Sequence, residues 1–166
     1  MNGEQAPDPD RLRAYRIARI LHAAAGALIG INVLTGWQLD RFPPEQRDVL
    51  VMLHAGFGLS ILALMLVRWW WRRKHALYAT VDWWRRPALL LQWVFYPLVI
   101  AQTLLGFGHA LFIDYDVRAF GLFNISALAD PDAALHAVLF GAHSLVAGLL
   151  LVLIIAHIAD RTLQQD

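Results

Sequence analysis

The chain contains no cysteine among its 166 residues. This absence excludes disulfide bonds, cysteine-ligated iron–sulfur clusters and thiolate-bound haem. Any metal, free or within a cofactor, must therefore be held by histidine, methionine or carboxylate ligands.

Charged residues are also scarce. They make up 16% of the sequence, whereas hydrophobic residues make up 58%, and this balance is typical of membrane proteins rather than soluble domains. The formal net charge is +1, and the basic residues cluster at the ends of apolar stretches rather than along one face. We therefore expect contact with membrane lipid and no binding of nucleic acid.

Four apolar stretches each approach the roughly 20 residues that a helix needs to cross a bilayer. They cover residues 16–39, 48–71, 87–113 and 135–159. The sequence thus predicts an all-α, integral membrane four-helix bundle over residues 13–162, preceded by a disordered cytoplasmic tail over residues 1–12. The first apolar stretch is too long and too rich in flanking arginine for a cleaved signal peptide.

The distribution of lysine and arginine predicts the orientation, because these residues are retained on the cytoplasmic side. Three arginines fall on the outer side of the predicted bundle: Arg41, Arg47 and Arg118. The others fall on the opposite side: Arg11, Arg13, Arg16, Arg19, Arg68, Arg72, Arg73, Lys74, Arg85, Arg86 and Arg161. We therefore expect both termini in the cytoplasm, with tryptophans at the headgroup level beside the inner loop: Trp69, Trp70, Trp71, Trp83 and Trp84.

Four histidines lie inside the predicted spans: His22, His54, His143 and His157. Polar groups at this depth are costly and often mark a functional path. His143 and His157 are 14 residues apart on one helix, which is close to four whole turns. Their imidazoles therefore share a face, about 21 Å apart along the axis.

The depths of the other two histidines match these levels. His22 lies near the cytoplasmic end of its helix, like His157, and His54 lies about two turns inside the outer end, like His143. We expect an inner pair, His22/His157, and an outer pair, His54/His143, each suited to a six-coordinate haem b. A zinc site would need three or four ligands at one depth, and hydrogen-bonded core histidines are the plainer alternative.

Two other features have two interpretations each. Arg68 lies 14 residues after His54, on the same face, where it could pair with a haem propionate or extend to the cytoplasmic surface. Gly58, four residues after His54, would let a flat cofactor approach the helix, as would Gly26, Gly56 and Gly148. The same glycines could instead serve helix–helix packing, as could Gly26 with Gly30 in a GxxxG arrangement.

The second helix carries the most specific motif, a histidine followed by a glycine and an arginine: His54, Gly58 and Arg68. Three further features accompany this motif: the first-helix segment 16–22, the histidine spacing of the fourth helix and the run Phe120-Gly121-Leu122-Phe123. Together they make the sequence resemble the bacterial cytochrome b561 family. Its relatives include the cytochrome b subunits of nickel–iron hydrogenases and formate dehydrogenases. The resemblance implies two haems b with the pairs above as ligands, a ubiquinone or menaquinone site, an electron-transfer partner and a bacterial inner-membrane location.

The sequence departs from this family at two positions. Gln92 stands where many stand-alone members have a histidine four residues before a tyrosine, here Tyr96, and Ala23 replaces the aromatic residue after the first-helix ligand. Both changes alter groups that surround the inner haem rather than its ligands.

We therefore expect electron transport between the quinone pool and a dehydrogenase, a hydrogenase or a soluble cytochrome, as the cytochrome b subunit of an oxidoreductase. A self-contained quinol oxidoreductase is the alternative, and a haem-free transporter or assembly protein represents a different class. His109 and His136, near the outer ends of two helices, could accept a quinol proton or be interfacial polar residues. The outer loop is acidic at Asp114, Asp116, Asp130 and Asp132, and the sequence leaves a monomer and a homodimer open.

Overall fold

The computed structural model describes residues 8–37, 39–77 and 87–163. Four helices make up most of this part of the chain: α1 Pro9–Gly36, α2 Pro44–Lys74, α3 Pro87–Leu111 and α4 Ala133–Leu163. All four are long and apolar enough to cross a membrane, and at most 17% of the most apolar window of any of them is buried in protein. The predicted four-helix membrane fold is confirmed, since such a surface needs lipid to cover it.

The first helix begins earlier than predicted. The Asp8 side chain accepts a hydrogen bond from the backbone N–H of Asp10 at 3.0 Å, and Pro9 occupies the first turn. Both features favour a helix start. The backbone N–H groups of the first turn have no partner within the helix, so proline loses nothing by lacking one, and the Asp8 carboxylate accepts a hydrogen bond from another. Residues 9–12 are therefore helical, although the sequence analysis included them in a disordered tail.

Two structured connections join the helices on the side that the sequence predicts to be the outer one. A 3-10 turn, Leu39–Arg41, joins α1 to α2. Between α3 and α4, β1 Arg118–Ala119 pairs with β2 Phe123–Asn124 in an antiparallel hairpin, followed by a 3-10 turn at Ser126–Leu128. The loop predicted only as polar is thus an ordered cap on the bundle.

This hairpin is docked on α2. The backbone N–H of Phe120 donates to the carbonyl of Met52 at 3.2 Å, and the Phe120 ring packs edge-on against Phe57 with centroids 5.3 Å apart. Phe120 has a positive φ of 51° and Gly121 one of 73°. This left-handed turn directs the Phe120 ring back toward the bundle and over Gly56, where an added Cβ would lie 2.5 Å from it.

The helices pack as two neighbouring pairs, α1 along α2 and α3 along α4, with α2 also contacting α3 and the hairpin. A central apolar cluster joins all four: Ala25, Ile61, Met65, Tyr96, Val99 and Leu150. Leu150 lies seven residues from both His143 and His157, so this cluster separates two histidine levels of α4. A second cluster, which includes Ala110, Ile113 and Ile125, holds the outer loop on α2 and α3.

The inner end of α2 carries the predicted aromatic residues. The Arg73 guanidinium lies 5.3 Å from the centre of the Trp69 ring, and the Lys74 ammonium lies 5.0 Å from that of Trp70. Such pairs suit the headgroup region, where a ring and a cation can both be accommodated. Trp83, Trp84, Arg85 and Arg86 lie outside the described residues, as do the side chains of Gln92 and Arg161.

Candidate functional site

The four histidines of the spans form the two predicted pairs. The ring centres of His22 on α1 and His157 on α4 are 6.1 Å apart, with the ring planes at 87°. Those of His54 on α2 and His143 on α4 are also 6.1 Å apart, with the planes at 88°. Helix α4 therefore contributes one histidine to each pair.

This separation fits one metal centre between each two rings. Two imidazole nitrogens that bind one metal ion from opposite sides, each at about 2.0 Å, are about 4 Å apart, and their ring centres are then roughly 6 Å apart. No group of three or more histidine or acidic side chains within the described residues could hold a metal ion directly. Each pair could hold a cofactor that brings further ligands for its own metal, as a haem does.

The outer pair is held by backbone carbonyls of neighbouring helices. Nδ1 of His54 donates to the carbonyl of Asn32 on α1 at 2.9 Å, and Nδ1 of His143 donates to that of Gln102 on α3 at 3.0 Å. A carbonyl can only accept, so each Nδ1 carries the proton and each Nε2 keeps its lone pair. Histidines that bind metals are typically anchored in this way, with the second nitrogen left for the metal.

The side chains of the same two carbonyl residues lie near the outer pair. The Gln102 amide nitrogen lies 3.2 Å from Nε2 of His143 and donates a hydrogen bond to it, a bond that a metal at Nε2 would replace. The Asn32 amide nitrogen lies beside Gly58, one turn along α2 from His54. The amide oxygens of Asn32 and Gln102 are buried, and neither has a hydrogen-bond partner among the described residues. Unpaired buried acceptors are costly, and these two mark the outer pair as a polar place in an apolar bundle.

Three of the glycines considered in the sequence analysis leave space around them. A Cβ at Gly58 would have only the Asn32 amide nitrogen near it, at 3.9 Å, and one at Gly26 or Gly148 would have nothing within 4 Å. The open surface at Gly58 supports the expected approach of a flat cofactor. Gly56 differs, because the Phe120 ring covers it. Gly30 resembles Gly26, so within the part of the chain that the structure describes neither glycine of the GxxxG pair makes a close contact with another helix.

The inner pair adjoins aromatic residues of α3. The Phe95 ring lies 5.8 Å from that of His157, and the Arg68 guanidinium lies 5.3 Å from the centre of the Tyr96 ring. Tyr96 is 5% exposed, and its hydroxyl has no hydrogen-bond partner among the described residues. Arg68 thus lies at about the depth of the inner histidine pair, as its spacing of 14 residues from His54 predicts.

Two further histidines extend the outer pair toward the outer surface. The His109 ring lies 5.3 Å from that of His143 and 5.4 Å from that of His136. Nδ1 of His136 also donates to the carbonyl of His109 at 2.9 Å. His136 precedes His143 by seven residues, so its place on the same face of α4 is predictable, whereas the approach of His109 from α3 requires the fold.

Two acidic residues of the outer loop, Asp116 and Asp132, accept hydrogen bonds that stabilise local structure. The Asp116 carboxylate accepts hydrogen bonds from Arg118 at 3.0 Å and from Asn124 at 3.1 Å, and these interactions lower the pKa of Asp116. Asp132 accepts from the backbone N–H groups of Ala134 and Leu135 at the start of α4. Two of the four predicted acidic positions therefore stabilise the loop and a helix end.

The fold and the two histidine pairs define a class, that of helical membrane proteins with paired histidines inside the bundle. A family model described as prokaryotic cytochrome b561 matches residues 13–164. The chain therefore belongs to the prokaryotic cytochrome b561 family, which confirms the resemblance given above, and it is a multi-pass bacterial membrane protein of a family of haem b electron carriers. No protein of curated function matches the sequence. Family membership argues against a haem-free transporter or assembly protein.

Proposed function

We propose that the protein is a di-haem cytochrome b that carries electrons across the bacterial inner membrane between the quinone pool and a redox partner. The observation that carries this proposal is the pair of matched histidine sites, each with ring centres 6.1 Å apart. Since α4 contributes to both at a spacing of 14 residues, the two sites are about 21 Å apart along that helix.

The residues of the outer site would hold one haem through the Nε2 atoms of His54 and His143. Their Nδ1 hydrogen bonds to α1 and α3 keep both rings in the tautomer and orientation that ligation needs. His22 and His157 would hold the second haem. A haem b held by two histidines would supply reversible one-electron transfer.

The central apolar cluster lies between these two levels. Ile61 is 3% exposed, Met65 2% and Leu150 7%, so water has little access to the middle of the bundle. Such packing opposes the movement of ions or protons between the levels, because a charge is costly to transfer into an apolar interior. Under this proposal, electrons pass between the two sites while the apolar cluster keeps protons from following them.

The outer histidines support quinone binding near the outer site. Nδ1 of His109 is buried and has no hydrogen-bond partner among the described residues, so it is available to a quinone oxygen. His136 extends the same row toward the outer end of α4, and histidine can exchange protons near neutral pH. Both features favour electron exchange with quinone on the outer side, and the partner would then receive or supply electrons on the other side.

The direct test is haem quantification in the detergent-purified chain, together with its reduced-minus-oxidised visible spectrum. We expect two haems b per chain with low-spin α bands. A single haem, or none, from well-folded protein would contradict the proposal.

A second test separates the subunit role from the self-contained enzyme. The purified chain is mixed anaerobically with a soluble quinol analogue, and haem reduction is followed with and without an added electron acceptor. A subunit or anchor should be reduced by quinol but should show no sustained quinol oxidation by oxygen. Sustained turnover without a partner would favour the self-contained quinol oxidoreductase instead.

A further inference from the structure

Both histidines of the outer pair hydrogen-bond to a helix other than their own, at a carbonyl that already has a partner. In an α-helix the carbonyl of residue i accepts the N–H of residue i+4, so that residue stands beside the carbonyl oxygen. Asn32 and Gln102 provide these carbonyls to His54 and His143. A side chain from another helix can reach such an oxygen past residue i+4 only if that residue leaves room for it. The Asn32 carbonyl also accepts a hydrogen bond from the Thr35 hydroxyl of its own helix at 3.1 Å.

Residue i+4 is a glycine in both cases. Gly36 follows Asn32 by four residues, and Gly106 follows Gln102 by four. A Cβ at Gly36 would overlap the His54 ring and lie 2.6 Å from its Nδ1, while a Cβ at Gly106 would lie 2.9 Å from Cε1 and 3.2 Å from Nδ1 of His143. In each case the crowded nitrogen is the one that donates the hydrogen bond.

The same arrangement therefore occurs twice, on two different helices and for two different histidines. Glycine is a poor helix former inside α3, where Gly106 lies, whereas Gly36 ends α1, a place where glycine is common. Among the described residues, no other helical glycine faces a histidine ring: a Cβ at Gly30 or Gly141 would meet nothing within 4 Å, and one at Gly56 would meet the Phe120 ring.

We propose that Gly36 and Gly106 are positioning residues of the outer haem site. Their missing side chains admit each ligand ring to the carbonyl four residues earlier, and that hydrogen bond fixes Nε2 as the nitrogen left for iron. This inference rests on the proposed function, because it assigns the outer pair to a haem. It adds that α1 and α3, which need contribute no ligand to this site, determine how its two ligands are oriented.

The test uses the full-length chain, purified with its haems, with Gly36→Ala and Gly106→Ala as single variants. Gly141→Ala is the matched control, because residue 141 lies two positions before His143 and hence about 200° around α4 from it. Three quantities are measured for each protein: haem per chain, the midpoint potential of each haem, and the ferric low-spin electron paramagnetic resonance spectrum.

We expect both variants to retain the outer haem 10- to 100-fold less tightly, which is the effect typical of losing a hydrogen bond to a metal ligand. Haem content then falls toward one per chain. Any outer haem that remains should have a higher midpoint potential, because an imidazole without this hydrogen bond donates less electron density, and an altered spectrum. The inner haem, and both haems of Gly141→Ala, should keep the values of the parent chain.

Two results would overturn the inference while the parent chain still binds two haems. One is an outer haem with unchanged potential and spectrum in both glycine variants. The other is loss of both haems in Gly106→Ala with Gly141→Ala intact, because the effect would then not be specific to the outer site. If Gly36→Ala fails to fold, Gly106→Ala alone tests the inference, because its added Cβ requires the His143 ring to move only slightly. A parent chain without two haems would instead defeat the proposed function itself.

Discussion

At the scale of single residues, the two histidines of α4 are expected to be separable. His143 belongs to the outer pair and His157 to the inner pair, and the two residues lie about 21 Å apart along α4. We predict that His143→Ala loses the outer haem and His157→Ala the inner one, so each variant keeps about one haem per chain. Haem quantification with redox titration measures this, and two haems in either variant would disprove the pairing.

The carboxylate of Asp116 gives a prediction on pH dependence. Its hydrogen bonds to Arg118 and Asn124 lower its pKa in the folded loop. A lowered folded-state pKa means that these bonds stabilise the loop above the pKa of the unfolded chain, and that this contribution is lost as the pH falls through the folded value.

The measurement is the titration midpoint of the Asp116 carboxyl by carbon NMR in detergent. We expect a midpoint below that of an ordinary aspartate in the parent chain and a rise toward the ordinary value in Arg118→Gln. Equal midpoints for Asp116 in the two proteins would show that the ion pair has no influence.

At the scale of structural elements, the hairpin between α3 and α4 depends on one aromatic anchor. Phe120 contacts Phe57 and covers Gly56, yet it is 40% exposed. Truncation of a fully buried phenylalanine costs about 3–5 kcal/mol, so Phe120→Ala should lower the free energy of unfolding by about 2 kcal/mol. Gly56→Ala should act in the same direction, because its Cβ would displace the ring.

Unfolding in mixed detergent and limited proteolysis of the loop together measure this effect. Leu122→Ala is the matched control, since Leu122 lies in the same turn and is 90% exposed. A Phe120→Ala chain as stable and as protease-resistant as the Leu122→Ala chain would mean that the hairpin is held by other contacts.

The elements also differ in how far the sequence predicts them. The four spans and the depths of His22, His54, His143 and His157 follow from hydropathy and helical rise, which are local properties. The start of α1 was placed too late, although Asp8 followed by Pro9 is a recognisable helix start. That signal is short and polar, and it was outweighed by the apolar stretch that begins at Arg16.

Other features of the site are not predictable from local patterns. The carbonyls of Asn32 and Gln102 are like every other carbonyl in a helix, and only the glycines four residues later distinguish them. His109 reaches His143 from a different helix, and Phe120 reaches Gly56 from a distant loop. Each of these contacts joins segments far apart in the chain, so it depends on how the helices pack.

At the scale of the whole molecule, the orientation in the membrane is testable because the chain has no cysteine. We expect a single cysteine introduced by Leu122→Cys to react with a membrane-impermeant thiol reagent added to spheroplasts. One introduced by Arg73→Cys should react only after the membrane is opened, because the basic end of α2 is predicted to be cytoplasmic.

The parent chain provides the unlabelled baseline, and retention of both haems confirms that each variant is folded. Labelling of the Arg73→Cys chain in intact spheroplasts, with Leu122→Cys protected, would reverse the orientation. It would also move the row of His143, His109 and His136 to the cytoplasmic side.

The sharing of α4 between the two histidine pairs has a consequence for biogenesis. Helix α4 is the last of the four to be synthesised, and each pair takes one histidine from it. A nascent chain that ends before Ala133 therefore has half of each proposed haem site and a complete version of neither. If the two pairs hold haems as proposed, neither haem can gain both of its histidines until the final span has been synthesised, so we expect both haems to be acquired late.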